Sequence, residues 1–210
     1  MQTGEKDWEI CLMKRRFALR EMETRLHILN EEFKVLHEHN PIDHMISRIK
    51  SPHAIEEKLI RKGFPVTESM AEEHIRDIAG LRIICSFTDD VYHISRLIEE
   101  QTDLRLTQKK DYIEKPKPNG YQSLHLIVEV PVNLTTAAEF IQVEVQIRTM
   151  AMDVWASLEH KMYYKFRHDV PKYLQENLRE SAVTLYELDE KMNTLKKEIN
   201  MFHTLPSIRI

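Results

Sequence analysis

Only four glycines occur in 210 residues, and neither GxxxxGK[ST] nor GxGxxG is among the motifs they form. Loops that wrap phosphates in bare backbone N–H groups are thereby excluded, so a phosphate site here has to rely on lysine, arginine and helix N-termini. The two cysteines, Cys11 and Cys85, leave no disulfide framework and no thiolate-rich metal centre, and both read as core fillers. No run approaches the ~20 apolar residues that span a bilayer. Residues 1–17 also lack the uninterrupted apolar core of a signal peptide, which makes the cytoplasm the expected location. A formal net charge of -4 argues against a protein that coats long nucleic acids, since that work depends on neutralising many phosphates.

What is present is strongly patterned. Residues 8–38 contain neither Gly nor Pro, and Leu19, Met22, Leu26, Leu29, Phe33 and Leu36 recur at alternating steps of three and four. Leu185, Leu188, Met192, Leu195, Ile199 and Phe202 repeat the pattern near the other end. Both stretches predict long amphipathic helices, which could pair with each other, pack on the core or build an interface between copies. His27, His37, His39 and His44 have neither HExxH spacing nor a nearby cysteine, and read as surface or helix-end residues. The pair His168 and Asp169 resembles the signature of HD phosphohydrolases, but it stands alone and is read as incidental.

Between these helices lie four polar constellations. Ser51 followed by Pro52 predicts an N-cap and first helical residue, with Ile55, Leu59 and Ile60 buried and Gly63 ending the helix. Arg48 and Lys50 precede that cap, and Lys58 lies two turns along the same face. Cations gathered at a helix N-terminus suit a polyphosphate. Residues 74–87, HIRDIAGLRIICSF, read as a helix end that breaks at Gly80 into an apolar strand. Asp77 sits at the break, and Arg82 falls on the strand face opposite Leu81, Ile83, Cys85 and Phe87.

A helix over 90–101 and a polar edge strand over 104–114 follow, the latter carrying Lys110. The loop 115–120 (KPKPNG) then turns tightly and presents Tyr121 as a possible stacking platform, ahead of a strand over 123–130. In the strand 140–148, Ile141, Val143, Val145 and Ile147 alternate with Gln142, Glu144, Gln146 and Arg148. Its polar side either faces solvent or lines a cleft. Thr149 caps a further helix through Ala151, Val154, Trp155, Leu158 and Met162, expected to cover the sheet. Together, Asp77 and Glu144, a tyrosine turn and a cationic helix start suit phosphoryl chemistry. Carboxylates are hard ligands for Mg2+, a strand-borne carboxylate can accept a proton, and cations offset phosphate charge.

Several of these segments resemble one family, in its order and with its spacings. They are RxKS with a later lysine (Arg48, Lys50, Ser51, Lys58), DIAGLRI at 77–83, KPNGYQSLH at 117–125, VEVQIRT at 143–149 and WASLEHK at 155–161. Over about residues 47–165 they look like the synthetase domain of the RelA/SpoT proteins, and the length resembles the stand-alone small alarmone synthetases. The resemblance implies an α/β (α+β) fold: a nucleotidyltransferase-like mixed sheet flanked by helices, with a core at 47–168 and helical extensions at 1–46 and 169–210. It implies transfer of pyrophosphate from ATP to the 3'-hydroxyl of GDP or GTP, releasing AMP and forming ppGpp or pppGpp in a bacterial stress response. By motif position, Asp77 would hold Mg2+ and Glu144 would be general base or second metal contact. Arg48 and Arg82 would sandwich adenine, with Lys50, Ser51 and Lys58 on the ATP phosphates. Tyr121 would stack on guanine beside Asn119, and Lys110, Lys117, His125 and Gln146 would contact the acceptor or the transferring group. A homotetramer is also implied. The residues alone leave two alternatives: a related enzyme with another acceptor such as an RNA end, or a silent nucleotide-binding adaptor.

Overall fold

The computed structural model describes residues 2–166 and 170–204. In chain order they form α1 (Gln2–Leu36), β1 (Ile42–Ile49), α2 (Pro52–Lys62), α3 (Glu68–His74), β2 (Ala79–Cys85) and α4 (Thr88–Glu99). Then come β3 (Arg105–Asp111), β4 (Leu124–Asn133), β5 (Ala138–Thr149), α5 (Met150–Phe166) and α6 (Lys172–Thr204). The strands make one mixed sheet in the order β1-β2-β5-β4-β3, in which β2 and β5 run parallel and the other neighbours antiparallel. A parallel pair needs a long crossover. Here α4 and the β3–β4 pair supply it.

Strand alternation sorts the two faces as the sequence predicts. Leu81, Ile83 and Cys85 of β2, Leu124 to Val130 at alternate positions of β4, and Ile141, Val143, Val145 and Ile147 of β5 are buried on one face. Leu19, Met22, Leu26 and Phe33 of α1, with Val91, Ile94 and Ile98 of α4, belong to the same cluster. The N-terminal heptad pattern is thus ordinary core packing from Leu19 to Phe33, with Leu29 partly buried and Leu36 at the helix end exposed, and each fully buried Leu or Met in it contributes roughly 1.5–3 kcal/mol. A second cluster joins Cys11 of α1 to Ile55 and Leu59 of α2, Ala71 of α3, and Ile75 and Ile78. It fixes the turn from which Asp77 emerges.

Local signals hold at several ends. Ser51 Oγ accepts from the Ala54 N–H at 3.3 Å, and Gly63 closes α2 at φ 76°. Thr149 Oγ1 accepts from the Met152 N–H at 3.1 Å to start α5. Elsewhere the structure corrects the sequence. β1 carried no expectation of a strand, because its polar side chains hide the alternation. α3 ends at His74 and β2 begins at Ala79, so Gly80 lies inside the strand and is not the joint. Ile60, Val154 and Leu158 are exposed, since only one narrow side of α2 and α5 meets the body. His168 and Asp169 lie outside the described residues.

The C-terminal helix differs most from its pattern. Leu188, Met192, Leu195 and Ile199 are exposed, while Leu178, Ala182, Asp189 and Asn193 face inward. Its docking is largely polar: Lys196 Nζ to Asp90 Oδ1 at 2.6 Å, Asn193 Nδ2 to Asp89 Oδ1 at 3.1 Å, Thr149 Oγ1 to Asp189, and Trp155 Nε1 to the Leu178 carbonyl at 2.8 Å.

Candidate active site

The second face of the sheet carries the polar residues in two cross-strand rows. One runs Ile46, Arg82, Gln146, His125, Lys110 across all five strands. The next runs Arg48, Gly80, Glu144, Ile127, Gln108. Side chains opposite one another in register share a face, so residues as far apart in sequence as Ile46 and Gln146 are brought into one row through strand order alone. Gly80 has its place in this pattern. A Cβ there would meet only Arg48 at 3.9 Å, so the bare position opens the floor between Arg48 and Glu144.

Asp77 stands two residues ahead of β2, beyond the second row at its Gly80 position. Its Oδ2 lies 2.9 Å from Lys50 Nζ and its Oδ1 2.7 Å from Lys58 Nζ. Burial pushes its carboxyl up, but the two lysines outweigh burial and hold it below its ordinary value. Lys50 is fixed in turn by a backbone bond from its N–H to the Ile78 carbonyl at 2.8 Å. Ser51 spends its hydroxyl on the α2 cap, and Arg48 is exposed at the rim. The cationic helix start and the Asp77 turn therefore meet, as expected.

Glu144 sits near the middle of the sheet. His125 Nδ1 lies 3.3 Å from its Oε1, and Gln146 Nε2 donates to its Oε2 at 2.8 Å. Burial raises this carboxyl too, yet the contacts with His125 and Gln146 leave it lowered, hence ionised near neutral pH. Two depressions share Glu144. One is lined by Ile46, Arg48, Asp77, Gly80, Arg82 and Gln146, the other by Gln108, Lys110, Tyr112, Lys117 and His125.

Tyr121 lies behind the second depression rather than free in solvent. Its hydroxyl is 2.8 Å from His125 Nε2 and accepts from Arg148 NH2 at 2.6 Å. Lys117 Nζ rests 4.5 Å from its ring centroid and 4.7 Å from that of Tyr112. Asn119 Oδ1 accepts from the Tyr121 N–H, while its amide donates to Glu159. Two residues here escaped sequence reasoning. Arg148, though on the polar alternation of β5, is buried, and Asp153 in the first turn of α5 bridges it to Arg82 at 3.2 and 3.1 Å. The spacing of five from Arg148 to Asp153 was the available signal, but it crosses a strand–helix junction where no periodicity applies.

For divalent metal, the donor set fits in type: two ionised carboxylates of hard oxygen line one cleft. Among the described residues, the one group of three or more such ligand atoms within 4.8 Å is Cys11, Glu68 and Glu72, which belongs elsewhere. The cleft therefore suits an ion that completes its shell with phosphates and water, as Mg2+ does.

Residues 47–169 match the model of the region found in RelA/SpoT proteins. The chain belongs to the RelA/SpoT family. It is 50% identical over 200 residues to the GTP pyrophosphokinase YwaC of Bacillus subtilis, covering 95% of each chain. The crystal structure of B. subtilis small alarmone synthetase 2 superposes with a TM-score of 0.84 at 51% identity, over 91% of this chain and 99% of that one. B. subtilis small alarmone synthetase 1 bound to its product pppGpp gives a TM-score of 0.87 at 33% identity, covering 93% and 99%. The same enzyme bound to AMPCPP gives 0.79 at 31%, again covering 93% and 99%. The five-stranded mixed sheet with its long terminal helices is thus the architecture of this RelA/SpoT group. Among the described residues, no helix is long and apolar enough to cross a membrane.

Proposed function

We propose that the chain transfers the β,γ-pyrophosphate of ATP to the 3'-hydroxyl of GDP or GTP, releasing AMP and forming ppGpp or pppGpp. The observation that carries this reading is Glu144: an ionised carboxylate shared by two depressions, one flanked by Arg48, Arg82, Lys50 and Lys58, the other by Lys110 and Lys117. A donor and an acceptor nucleotide would meet over it. The pyrophosphokinase relative and the product and ATP-analogue complexes of small alarmone synthetase 1 support the same assignment.

In this reading Arg48 and Arg82 hold adenine while Lys50, Ser51 and Lys58 hold the ATP phosphates. The two lysines now neutralise Asp77 and would be shared with phosphate oxygens. Tyr121, with Asn119 fixing its backbone, faces guanine, and Lys110, Lys117, His125 and Gln146 contact the acceptor or the moving group. Glu144 takes the proton of the 3'-hydroxyl as its oxygen bonds to the β-phosphorus and the bond to the AMP oxygen breaks. Asp77 and Glu144 would hold Mg2+, which when bound neutralises charge on the transferring phosphates. His125 and Gln146 keep Glu144 aimed at the acceptor side.

The direct test is incubation with ATP, Mg2+ and GDP or GTP, followed by separation of nucleotides. AMP and a 3'-pyrophosphorylated guanosine nucleotide should form in equal amounts; absence of both over varied metal and pH sinks the assignment. Assembly into a homo-oligomer, a tetramer by resemblance, is part of the same reading. Leu188, Met192, Leu195 and Ile199 give α6 an apolar outer strip that a second copy of this chain would cover. Leu195→Glu should then lower the mass seen by light scattering, and a parent already monomeric at micromolar concentration would refute it. The cytoplasm, where these substrates reside, is the proposed location.

A further inference from the structure

Hydrogen-bond directions around Glu144 form a closed pattern with a single origin. Arg148 has only N–H donors, so its NH2 bond to Tyr121 must leave the tyrosine proton free to point elsewhere. At 2.8 Å, His125 Nε2 is the acceptor best placed for it, since Ser123, the hydroxyl's other neighbour, already accepts from Arg148 Nε and donates to the Ile147 carbonyl. If Nε2 accepts, the neutral imidazole carries its proton on Nδ1, the atom 3.3 Å from Glu144 Oε1. The same NH2 group donates to Gln146 Oε1 at 2.7 Å, and Gln146 Nε2 donates to Glu144 Oε2 at 2.8 Å. Two branches, one through Tyr121 and His125 and the other through Gln146, thus start at Arg148 and end on the two oxygens of one carboxylate.

The root of this pattern is itself held rigidly. Arg148 is 4% exposed, its Nε donates to Ser123 Oγ at 3.3 Å, and its NH1 donates to Asp153 Oδ1 at 3.2 Å. Asp153 also receives Arg82, which lines the other depression. Among the described residues, no hydrogen bond or ion pair joins Arg148 directly to His125 or to Glu144.

We propose that Arg148, anchored by Asp153, is a positioning residue for Glu144: it fixes the proton order of the Tyr121–His125 branch and the amide orientation of Gln146. This rests on the proposed role of Glu144 as the proton acceptor. A guanidinium is required because four acceptors, Ser123, Asp153, Tyr121 and Gln146, are met at once by a planar fork. A lysine keeps the charge but not the fork. With both branches loosened, the carboxylate samples orientations away from the acceptor, and displacement of a catalytic group by about 1 Å costs on the order of 100-fold in rate.

The test uses Arg148→Lys and, as a milder variant that leaves the buried guanidinium in place, Asp153→Asn. In the nucleotide-free protein, the side-chain nitrogen resonances of His125 should shift in Arg148→Lys although no hydrogen bond joins the two residues directly. That shift should vanish when Arg148→Lys is made in a Tyr121→Phe background, because the relay is already cut. In turnover, kcat should fall roughly 10- to 100-fold with either nucleotide's KM changed by less than about threefold. Asp153→Asn should follow in the same direction with smaller loss. Added to Glu144→Gln, Arg148→Lys should cost nothing further. Unmoved His125 resonances in both Arg148→Lys and Asp153→Asn overturn the relay. An equal loss of rate with and without Glu144 assigns Arg148 a merely structural part and overturns the proposal too. A parent that makes no pyrophosphorylated nucleotide would instead defeat the reading of function, while the resonance test would still decide the relay.

Discussion

Gly120 joins the Tyr121 loop to the C-terminal helix, and its replacement by alanine separates two physical costs. Its φ is +93°, where an L side chain is strained, and an added Cβ would lie 2.5 Å from Ala182 Cβ, 3.7 Å from Trp155 Cζ2 and 3.8 Å from Arg179 Cα. The backbone cost is about 1–3 kcal/mol. Overpacking against a helix backbone that cannot swing aside adds about 1–3 kcal/mol. Gly63 provides the control, because at φ +76° it has nothing within 4 Å of an added Cβ and should show the backbone cost alone. At roughly 2–4 °C per kcal/mol for a domain of this size, Gly63→Ala should lower Tm by about 2–12 °C and Gly120→Ala by about 4–24 °C. Adding Ala182→Gly to Gly120→Ala removes the close contact, so the double variant should recover about 1–3 kcal/mol in a mutant cycle, even though Gly in the α6 interior costs about 1 kcal/mol on its own. Thermal denaturation of the four variants measures this. Gly120→Ala no worse than Gly63→Ala, with no coupling to position 182, would refute the idea that α6 holds the loop.

Asp77→Asn and Glu144→Gln should each lower turnover by on the order of 100-fold or more while circular dichroism stays unchanged, since both side chains face a cleft; retained activity in either removes its assigned role. Tyr121→Ala should raise the KM for the guanosine nucleotide more than that for ATP, and initial-rate kinetics with equal effects on both would contradict its placement. Both carboxylates have folded values below their ordinary ones, so the stability they bring is present above about pH 4.5 and is lost as pH falls through the folded values. Melting temperatures between about pH 6 and pH 3 should therefore fall less steeply in Glu144→Gln than in the parent, and parallel curves would rule this out.

Much of the site was legible because strand alternation is a strictly local rule. Once Arg82, Glu144, Gln146 and His125 are assigned to polar strand faces, only register is needed to make them neighbours, and register follows from burying the apolar faces. The α2 cap at Ser51 and the Thr149 cap were readable for the same reason: each is decided within four residues. What escaped was set by distant partners. β1 is an edge strand with a mostly wetted surface, so its sequence had no alternation to show, and its pairing with β2 is what brings Arg48 beside Gly80. Arg148 read as one more residue of a polar strand face, turned either to solvent or to a cleft. Its burial depends on Asp153 and Tyr121, which arrive from α5 and from the loop ahead of β4.

Helix α6 shows the limit of apolar periodicity most clearly. A stripe of Leu188, Met192, Leu195 and Ile199 identifies residues that gain by leaving water, but it says nothing of which neighbour covers them. In the single chain that neighbour is not the sheet. The inward face uses small and polar positions instead, because what it meets there is not an apolar sheet but loop 115–120 at Ala182, Thr149 at Asp189, and Asp89 and Asp90 at the start of α4. Ala182 is small because Gly120 must approach it, and Gly120 is bare because the loop must turn at positive φ against that helix. The same loop carries Lys117, Asn119 and Tyr121. A helix that reads as an oligomer seam on its outer side is therefore, on its inner side, the wall against which the proposed guanosine site is built.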